Sequence, residues 1–267
     1  MKEMIKSLIN GCLSPLQLEV RHIERPKVDS RKHLALIEET IGCYRELGFA
    51  PLPPSPRRAE LMARLTGTNV SEAIYVLEHL RRALKVPGDI CEFGVAAGAT
   101  SALMANEIQD TDRKLWLFDS FQGLPRPTEK DVLIDDILGV GSMEAYEGRM
   151  AFPIEEVRGR LRELNFPPAR TMIVPGFIEK TIHSTALPAQ VAFAYIDFDF
   201  YEPILIALNF LHETMPVGGH LIVDDYGCFS AGAQTAVDEF LAAHAGAYSA
   251  IKPYPFAGQF LCIEKTA

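Results

Sequence analysis

The sequence predicts an α/β protein with a seven-stranded, mostly parallel sheet, an antiparallel last strand and a helical N-terminal extension. Short apolar segments alternate with segments of helical periodicity along most of the chain. Helices are predicted between most of the first five strands, and such connections are typical of parallel strands. The chain has 267 residues, enough for one domain of this class.

The N-terminal part is predicted to be helical. A helix begins at Arg31 and ends at Gly48, and one of its faces carries a regular set of apolar residues: Leu34, Ile37, Ile41 and Tyr44. Residues 49–56, FAPLPPSP, form a rigid connector. We assign residues 1–65 to an extension that serves as a lid or an oligomer contact, and residues 66–267 to the main domain.

A second helix is predicted from Asn69 to Leu84. Glu72 follows Asn69 by three residues, which is the spacing of a capping box. The polar turn before it, TGTN at residues 66–69, is either an ordinary helix cap or a ligand contact, and the cap is the simpler interpretation.

A glycine loop follows the first strand, Ile90 to Phe93. Gly94 and Gly98 let the backbone approach a ligand, and a helix beginning near Thr100 offers free N–H groups to an anionic group. Ala96 occupies the position of the second glycine in the dinucleotide fingerprint, which disfavours NAD. Glu92 would repel a pyrophosphate and attract a cation, such as the ammonium group of S-adenosylmethionine.

Two further strand ends carry candidate ligand contacts. Asp119 follows the strand Lys114–Phe118 and lies 21 residues after Gly98 (119 minus 98), close to the offset of a ribose-binding acid. The third strand, Thr171–Val174, leads to Gly176 and Phe177. Phe177 is interpreted either as a stacking partner for an adenine or as a core residue.

Acidic residues follow two neighbouring predicted strands. Asp197 and Asp199 come after Val191–Ile196, and Asp224 and Asp225 come after His220–Val223. A helix opening at Pro203 and ending near Met215 connects the two strands. Because parallel strands end at the same edge, we expect the four carboxylates to meet there.

Four adjacent carboxylates raise one another's pKa values unless a cation is bound. His and Cys are absent from the immediate neighbourhood of Asp197 and Asp199, so a hard ion is favoured. Mg²⁺ is the first choice, followed by Mn²⁺ or Ca²⁺. The alternative is that these acids cap helices or face solvent.

Residues 121–152 form a long irregular insert, which is usually functional or mobile. Within it, Ser142, Tyr146 and Arg149 are candidates for substrate contact. His183 lies in a predicted loop near the strand edge and is either catalytic or, as most lone histidines are, structural or solvated. After a helix at Ala233–Ala243, two strands are predicted near 248–254 and 259–264, joined by a tight antiparallel connection.

The composition limits the partners and the compartment. A net charge of −9 and a pI near 5.3 argue against nucleic acid and against an anionic membrane surface. The five cysteines are odd in number and show no CxxC pair, as expected of free thiols in a reducing cytoplasm. Neither a signal peptide nor a membrane span is predicted, so we expect a cytoplasmic protein.

Several segments, in this order and spacing, resemble the TylF-type macrocin O-methyltransferases over about residues 66–265. They are ICEFGVAAGATSALMA, LWLFDSFQGLP, VPGFIEKTI, YIDFDFYEPILIAL, MPVGGHLIVDDYG and AVDEF. The resemblance implies a Rossmann-like class I methyltransferase fold that uses S-adenosylmethionine and Mg²⁺ to methylate a hydroxyl, often on an antibiotic sugar.

The resemblance also implies residue roles. Asp197 is the general base, and the metal ligands are Asp197, Asp224 and Asp225. The ribose is held by Asp119 and Ser120. The rest of the cofactor is lined by Glu92, Gly94, Val95, Ala96, Ala97, Gly98, Ala99, Gly176 and Phe177. The family often has Trp and Arg in the glycine loop, Trp after Gly176, and Gly at position 198; here Ala96, Ala97, Phe177 and Phe198 replace them.

The leading hypothesis is therefore a Mg²⁺-dependent O-methyltransferase that acts on a small hydroxyl acceptor, most simply a sugar of a natural product, and works as a homo-oligomer. A catechol-type O-methyltransferase shares the cofactor and the metal. A catalytically inactive cofactor-binding protein is a third hypothesis, against which the retained acids argue. A nicotinamide oxidoreductase is disfavoured by Ala96.

Overall fold

A computed structural model describes residues 30–46, 52–55, 57–183 and 186–267. Within this part of the chain, Leu34–Ala267 form one compact unit. The predictions for residues 1–29 lie outside the described residues. The proposed boundary at residue 65, the lid or oligomer role of the extension and the homo-oligomer remain predictions.

The sheet has seven strands in the order β3-β2-β1-β4-β5-β7-β6. The first five pair in parallel, and β7 is antiparallel to both of its neighbours, β5 and β6. The strands are β1 (Asp89–Phe93), β2 (Leu115–Asp119), β3 (Thr171–Pro175), β4 (Val191–Ile196), β5 (His220–Val223), β6 (Tyr248–Ile251) and β7 (Leu261–Lys265). The predicted fold class is confirmed.

Eight α-helices are described, together with two short 3₁₀ turns, at Glu144–Tyr146 and Pro168–Arg170. The helices are α1 (Ser30–Glu46), α2 (Arg58–Met62), α3 (Val70–Ala83), α4 (Ala99–Glu107), α5 (Ile154–Glu163), α6 (Ile178–Thr181), α7 (Tyr201–Thr214) and α8 (Ala231–Ala243).

Apolar side chains cover both faces of the sheet, as a parallel sheet requires. On one face, α1, α3, α4 and α5 pack into one core that includes Leu77, Leu103 and Phe193. On the other face, α7 and α8 pack over Phe93 and Ile196. The predicted apolar face of α1 is buried, with Ile37, Ile41 and Tyr44 all at 6% exposure or less.

Two predicted boundaries are wrong, namely the end of β6 in the C-terminal hairpin and the start of α7. Strand β6 ends at Ile251 because Pro253 lacks the N–H that a ladder needs, and the Tyr254 amide instead donates to the Tyr75 hydroxyl at 3.0 Å. The connection to β7 is therefore longer than the tight turn predicted. Helix α7 begins at Tyr201, before Pro203, because a proline is tolerated in a first helical turn.

An ion pair joins α2 to α4: Arg58 Nη2 lies 2.5 Å from Glu107 Oε2, and both side chains are largely buried. Among the described helices, none combines the length and the hydropathy needed to cross a bilayer.

Candidate active site at the carboxyl edge of the sheet

The acids predicted to meet lie beside one another at the carboxyl ends of β1, β4 and β5. Phe93 pairs with Ile196 across β1 and β4. The ladder continues one residue further, because the Asp197 amide donates to the Phe93 carbonyl at 2.7 Å and the Asp224 amide donates to the Ile196 carbonyl at 2.8 Å. The structure thus brings Asp197 and the Asp224–Asp225 pair to one edge.

Three of the four acids form a close group. Asp197, Asp199 and Asp225 each offer one carboxylate oxygen, and these oxygens lie within 4.8 Å of one another. Asp199 and Asp225 have φ values of 62° and 55°, in the left-handed region. A residue with a side chain adopts that conformation at a cost of about 1–3 kcal/mol, and such residues cluster at functional sites.

Desolvation dominates the electrostatics of this group. It raises the pKa of Asp199 to about 7 and, together with the charges of Asp199 and Asp224, raises the pKa of Asp225 to about 10. The pKa of Asp197 is also raised well above its usual range, by desolvation and then by the Asp224 charge. Carboxylates forced together in this way hold protons or a cation. An all-oxygen donor set fits a hard divalent ion such as Mg²⁺.

Asp224 makes different contacts. Its Oδ2 accepts a hydrogen bond from the Tyr195 hydroxyl at 3.0 Å, and its Oδ1 accepts one from the Asp225 amide at 2.8 Å. The structure therefore groups Asp199, rather than Asp224, with Asp197 and Asp225. The ligand role of Asp224 implied by the family resemblance stays a prediction.

The Tyr195 hydroxyl also lies 2.8 Å from Glu72 Oε1. One hydroxyl hydrogen cannot serve both Glu72 and Asp224, so a carboxyl group must supply the second hydrogen. Desolvation, followed by the charge of Asp224, raises the pKa of Glu72 to about 9, which favours a protonated Glu72 at neutral pH. The predicted capping box is half correct, because the Glu72 amide donates to Asn69 Oδ1 at 2.9 Å while the Glu72 carboxyl points inward.

The two loop glycines permit close backbone approaches. Gly94 has φ 89°, and a Cβ at this position would lie 1.8 Å from the carbonyl oxygen of Asp197. Gly98, with φ 77°, precedes α4, and a Cβ there would lie 3.1 Å from Val157 of α5. The glycine loop is therefore pressed against the backbone that carries the first acid of the group.

Asp119 binds the glycine loop. Its Oδ2 accepts hydrogen bonds from the Val95 amide at 2.7 Å and from the Ala96 amide at 3.0 Å, and its Oδ1 accepts one from the Phe121 amide at 2.6 Å. Ala96 is exposed and has φ 46°, so these bonds hold a strained turn. The predicted contact between Asp119 and a ribose stays a prediction.

Glu92 is 1% exposed, and its Oε2 accepts a hydrogen bond from the Ser101 hydroxyl of α4. Desolvation raises its pKa to about 8. Ala97 and Ala99, at the end of the glycine loop, are also buried, and the Ala97 carbonyl accepts a hydrogen bond from Arg160 Nε at 2.8 Å. The Glu92 carboxyl thus joins β1 to α4, the helix that follows the glycine loop.

The remaining predicted cofactor residues lie at the ends of β2 and β3. Ser120 Oγ donates to the Gly123 carbonyl at 2.8 Å. The Gly176 amide donates to the Asp119 carbonyl at 2.9 Å, which brings Gly176 and the half-buried Phe177 beside Asp119. The structure therefore places these residues at one edge with the glycine loop.

The candidates in the insert and at His183 have different environments. Tyr146 is buried. Its hydroxyl donates a hydrogen bond to Asp136 Oδ1 at 2.7 Å and accepts one from the Leu138 amide at 2.8 Å. Tyr146 therefore belongs to the core of the insert. Ser142 and Arg149 are exposed. His183 is exposed in the turn that follows α6.

Sequence reasoning missed the roles of Glu72, Tyr195 and Asp131. Asp131, at 4% exposure, accepts hydrogen bonds from the Thr128 amide at 2.7 Å and from the Tyr201 amide at 2.7 Å. Tyr195 could have been found, since a polar side chain inside the apolar strand VAFAYI requires a partner.

A model of the macrocin O-methyltransferase (TylF) family matches residues 64–249. The chain belongs to the TylF family. Its matched region contains the glycine loop, Asp119 and all four acids of the carboxyl edge.

Curated relatives of this TylF chain methylate natural products, according to their names. It is 31% identical over 144 residues to the 8-demethyl-8-(2,3-dimethoxy-alpha-L-rhamnosyl)-tetracenomycin-C 4'-O-methyltransferase of Streptomyces olivaceus, covering 53% of this chain and 54% of that protein. It is 32% identical over 179 residues to the demethyldecarbamoylnovobiocin O-methyltransferase of Streptomyces niveus, covering 62% and 65%. The matched regions thus span less than two thirds of either relative.

Solved structures of methyltransferases have the same fold as this TylF chain. The O-methyltransferase NovP is 26% identical, with a TM-score of 0.65, and the match covers 90% of this chain and all of that one (100%). The calicheamicin methyltransferase CalS11 is 19% identical, with a TM-score of 0.58 and coverage of 93% and 98%, and supports the fold alone.

Proposed function

We propose that the protein is an S-adenosylmethionine-dependent O-methyltransferase that transfers a methyl group to a hydroxyl of a small metabolite, a sugar of a natural product being the preferred acceptor. The observation that carries the proposal is the close group of Asp197, Asp199 and Asp225 in direct backbone contact with the glycine loop at Gly94. Membership of the TylF family supports the same activity.

The cofactor would bind at the glycine loop and at the ends of β2 and β3. The glycine loop leads into the first turn of α4, which offers amide groups near small side chains. Asp119 holds the conformation of this loop through the two hydrogen bonds that it accepts from the Val95 and Ala96 amides. Gly176 and Phe177 lie beside Asp119, where an adenosine moiety would be held.

The acids would bind a divalent cation. Asp197, Asp199 and Asp225 supply three carboxylate oxygens, and Asp224 is the fourth acid of the same edge. A bound Mg²⁺ would keep these acids ionised and lower the pKa of a hydroxyl coordinated to it.

The protein's own residues would orient the acceptor and accept its proton. In methyl transfer the acceptor oxygen attacks the methyl carbon in line with the C–S bond, that bond breaks, and S-adenosylhomocysteine and a methyl ether form. Asp197 lies at the end of β4, against the cofactor loop, and its carboxylate would take the hydroxyl proton. The glycine loop and the loop after β4 would hold the methyl donor and the acceptor next to each other, in the orientation that the transfer requires.

The relative from Streptomyces olivaceus is named for a rhamnosyl-bearing acceptor, which supports a sugar hydroxyl as the acceptor here. A catechol-type O-methyltransferase would instead require an acceptor that carries a planar diol.

The test measures methyl transfer from labelled S-adenosylmethionine to a panel of glycosides and catechols, with Mg²⁺ and after exhaustive chelation. We expect activity on glycosides, its loss on chelation, and a fall in turnover of at least about 100-fold in Asp197→Asn with S-adenosylmethionine binding retained. Asp110→Asn, an exposed acid in the turn before β2 at the opposite end of the strands, is the matched control. Full activity of Asp197→Asn or of the chelated enzyme would refute the scheme, and activity on catechols alone would favour the alternative.

A further inference from the structure

A buried chain of hydrogen bonds lies beneath the carboxyl edge and is not part of the proposed catalytic group. It joins Glu72 in the first turn of α3, Tyr195 in β4 and Asp224 after β5. Glu72 is 3% exposed and Tyr195 is 1% exposed, so neither side chain is available to a substrate. These residues can therefore act only through the groups that they contact.

One end of this chain of hydrogen bonds lies at the acids of the carboxyl edge. The Tyr195 hydroxyl holds Asp224 Oδ2 at 3.0 Å, and Asp224 Oδ1 holds the Asp225 amide at 2.8 Å. Asp225 has φ 55°, so its backbone is in a conformation that neighbouring contacts must maintain. By holding Asp224, the Tyr195 hydroxyl thus also stabilises the backbone of Asp225, which belongs to the close group of three acids.

The other end of this chain of hydrogen bonds lies in helix α3. The Glu72 amide donates to Asn69 Oδ1 at 2.9 Å, which ties this residue to the start of the helix. Thr68 lies near the Tyr195 hydroxyl at 3.5 Å, a long contact, and makes a shorter hydrogen bond of 2.8 Å to Thr100 of α4. The position of the phenol is therefore set mainly by Glu72.

We propose that Glu72 and Tyr195 are positioning residues that hold Asp224, and through it Asp225, in the orientation a divalent cation requires. The inference rests on the cation-dependent function proposed above. Outer contacts of this kind commonly change metal affinity by about 10- to 100-fold when they are removed, because the ligands lose their orientation.

Three variants of the full-length protein separate the roles. Tyr195→Phe removes the hydroxyl and keeps the ring. Glu72→Leu removes the carboxyl that holds the phenol, and Glu72→Gln keeps a hydrogen-bonding group of the same shape. Tyr248→Phe is the matched control, since Tyr248 lies on the edge strand β6 and its hydroxyl bonds to His212 Nδ1 of α7 at 2.8 Å.

The readout is the Mn²⁺ dissociation constant, measured by calorimetry or electron paramagnetic resonance without acceptor, together with kcat and the acceptor KM. We expect Tyr195→Phe and Glu72→Leu to weaken Mn²⁺ binding about 10-fold or more and to lower kcat with little change in KM. Glu72→Gln and Tyr248→Phe should stay within about threefold of the wild type, that is, below the range typical of outer-contact loss.

Thermal melting identifies any variant that does not fold. If Tyr195→Phe does not fold, the comparison of Glu72→Gln with Glu72→Leu decides. Folded Tyr195→Phe and Glu72→Leu proteins with wild-type Mn²⁺ affinity would overturn the inference while leaving the proposed function intact. A wild-type protein that binds no Mn²⁺ would instead refute the cation-dependent function, and this inference with it.

Discussion

Asp119 shows how one side chain can organise a ligand loop. Its carboxylate accepts three backbone amides, two from the glycine loop and one from Phe121. These bonds hold Ala96 at φ 46°, where a residue with a Cβ is disfavoured. The shape of the glycine loop therefore depends on a residue more than twenty positions later in the chain.

Asp119→Asn tests this dependence. An asparagine offers one acceptor oxygen and directs an NH₂ group at the other amides, so at least one charge-assisted hydrogen bond is lost. Such a bond is worth about 1.5–3 kcal/mol, and we expect S-adenosylmethionine to bind at least about 10-fold more weakly. Calorimetric titration of the variant, with Asp110→Asn as control, measures the change. A dissociation constant within twofold of the wild type would contradict the role of Asp119 in shaping the loop.

Residue-level prediction succeeded where strand ends determine position. Asp197 and Asp225 could be placed together because β4 and β5 are parallel and neighbouring, and Asp119 could be placed near the glycine loop for the same reason. The partnership of Glu72 and Tyr195 spans 123 residues and two elements, and nothing in the local pattern of either segment indicates it.

At the level of elements, the insert of residues 121–152 is attached to the acid edge by Asp131. This buried carboxylate accepts from Thr128 on the insert and from the Tyr201 amide at the start of α7. A short bridge between Leu133 and Ser230 adds to the attachment, next to the loop that follows Asp225. The insert thus lies against the acid edge, and its contact with an acceptor remains a prediction.

Asp131→Asn should loosen this attachment. Each carboxylate oxygen of Asp131 accepts a backbone amide, one from Thr128 and one from Tyr201, so an amide NH₂ group cannot replace either oxygen. We expect the free energy of unfolding to fall by about 1–3 kcal/mol, the cost of leaving a buried donor unsatisfied, and the insert to become more sensitive to protease.

Urea denaturation and limited proteolysis measure these effects, and the acceptor KM should rise if the insert contacts the acceptor. Asp135→Asn, an exposed acid of the same insert, is the control. Unchanged stability together with an unchanged digestion pattern would show that the Asp131 side chain does not hold the insert in place.

Element prediction failed where a side chain far along the chain sets a boundary. The end of β6 depends on Pro253 and on the Tyr75 hydroxyl of α3, and the start of α7 depends on Asp131. The small core in which Tyr146 of the insert packs with Phe200 and Phe229 could not be predicted, because the apolar residues of the insert have no regular spacing. The positions of most strands and helices along the chain, by contrast, followed from periodicity.

At the scale of the whole molecule, one buried and two half-buried acids make stability depend on pH. The folded-state pKa values of Glu72, Asp199 and Asp225 are raised to about 9, 7 and 10, above their usual values of 4.5, 3.8 and 3.8. The native state therefore binds more protons than the unfolded chain. Their contribution is fully present below about pH 4 and is lost as the pH rises through the folded-state pKa values.

We expect the melting temperature of the cation-free protein to fall between about pH 5 and pH 9, the interval that the usual and raised pKa values of Glu72 span. Mg²⁺ should reduce this fall, because it replaces protons at the acids and its binding releases them. Melting curves in chelator and in excess Mg²⁺ across this range provide the measurement. A melting temperature that rises steadily to pH 9 in chelator would contradict the raised pKa values.

The contact at Gly94 has a consequence for specificity. Under the proposed function, the methyl donor sits on one loop and the proton acceptor on the next, and the two main chains touch where residue 94 lacks a side chain. Even one extra carbon atom there would force the two loops apart. The backbone thus sets the separation of donor and proton acceptor, and under the proposed function differences between acceptors would have to be accommodated by residues outside these two loops.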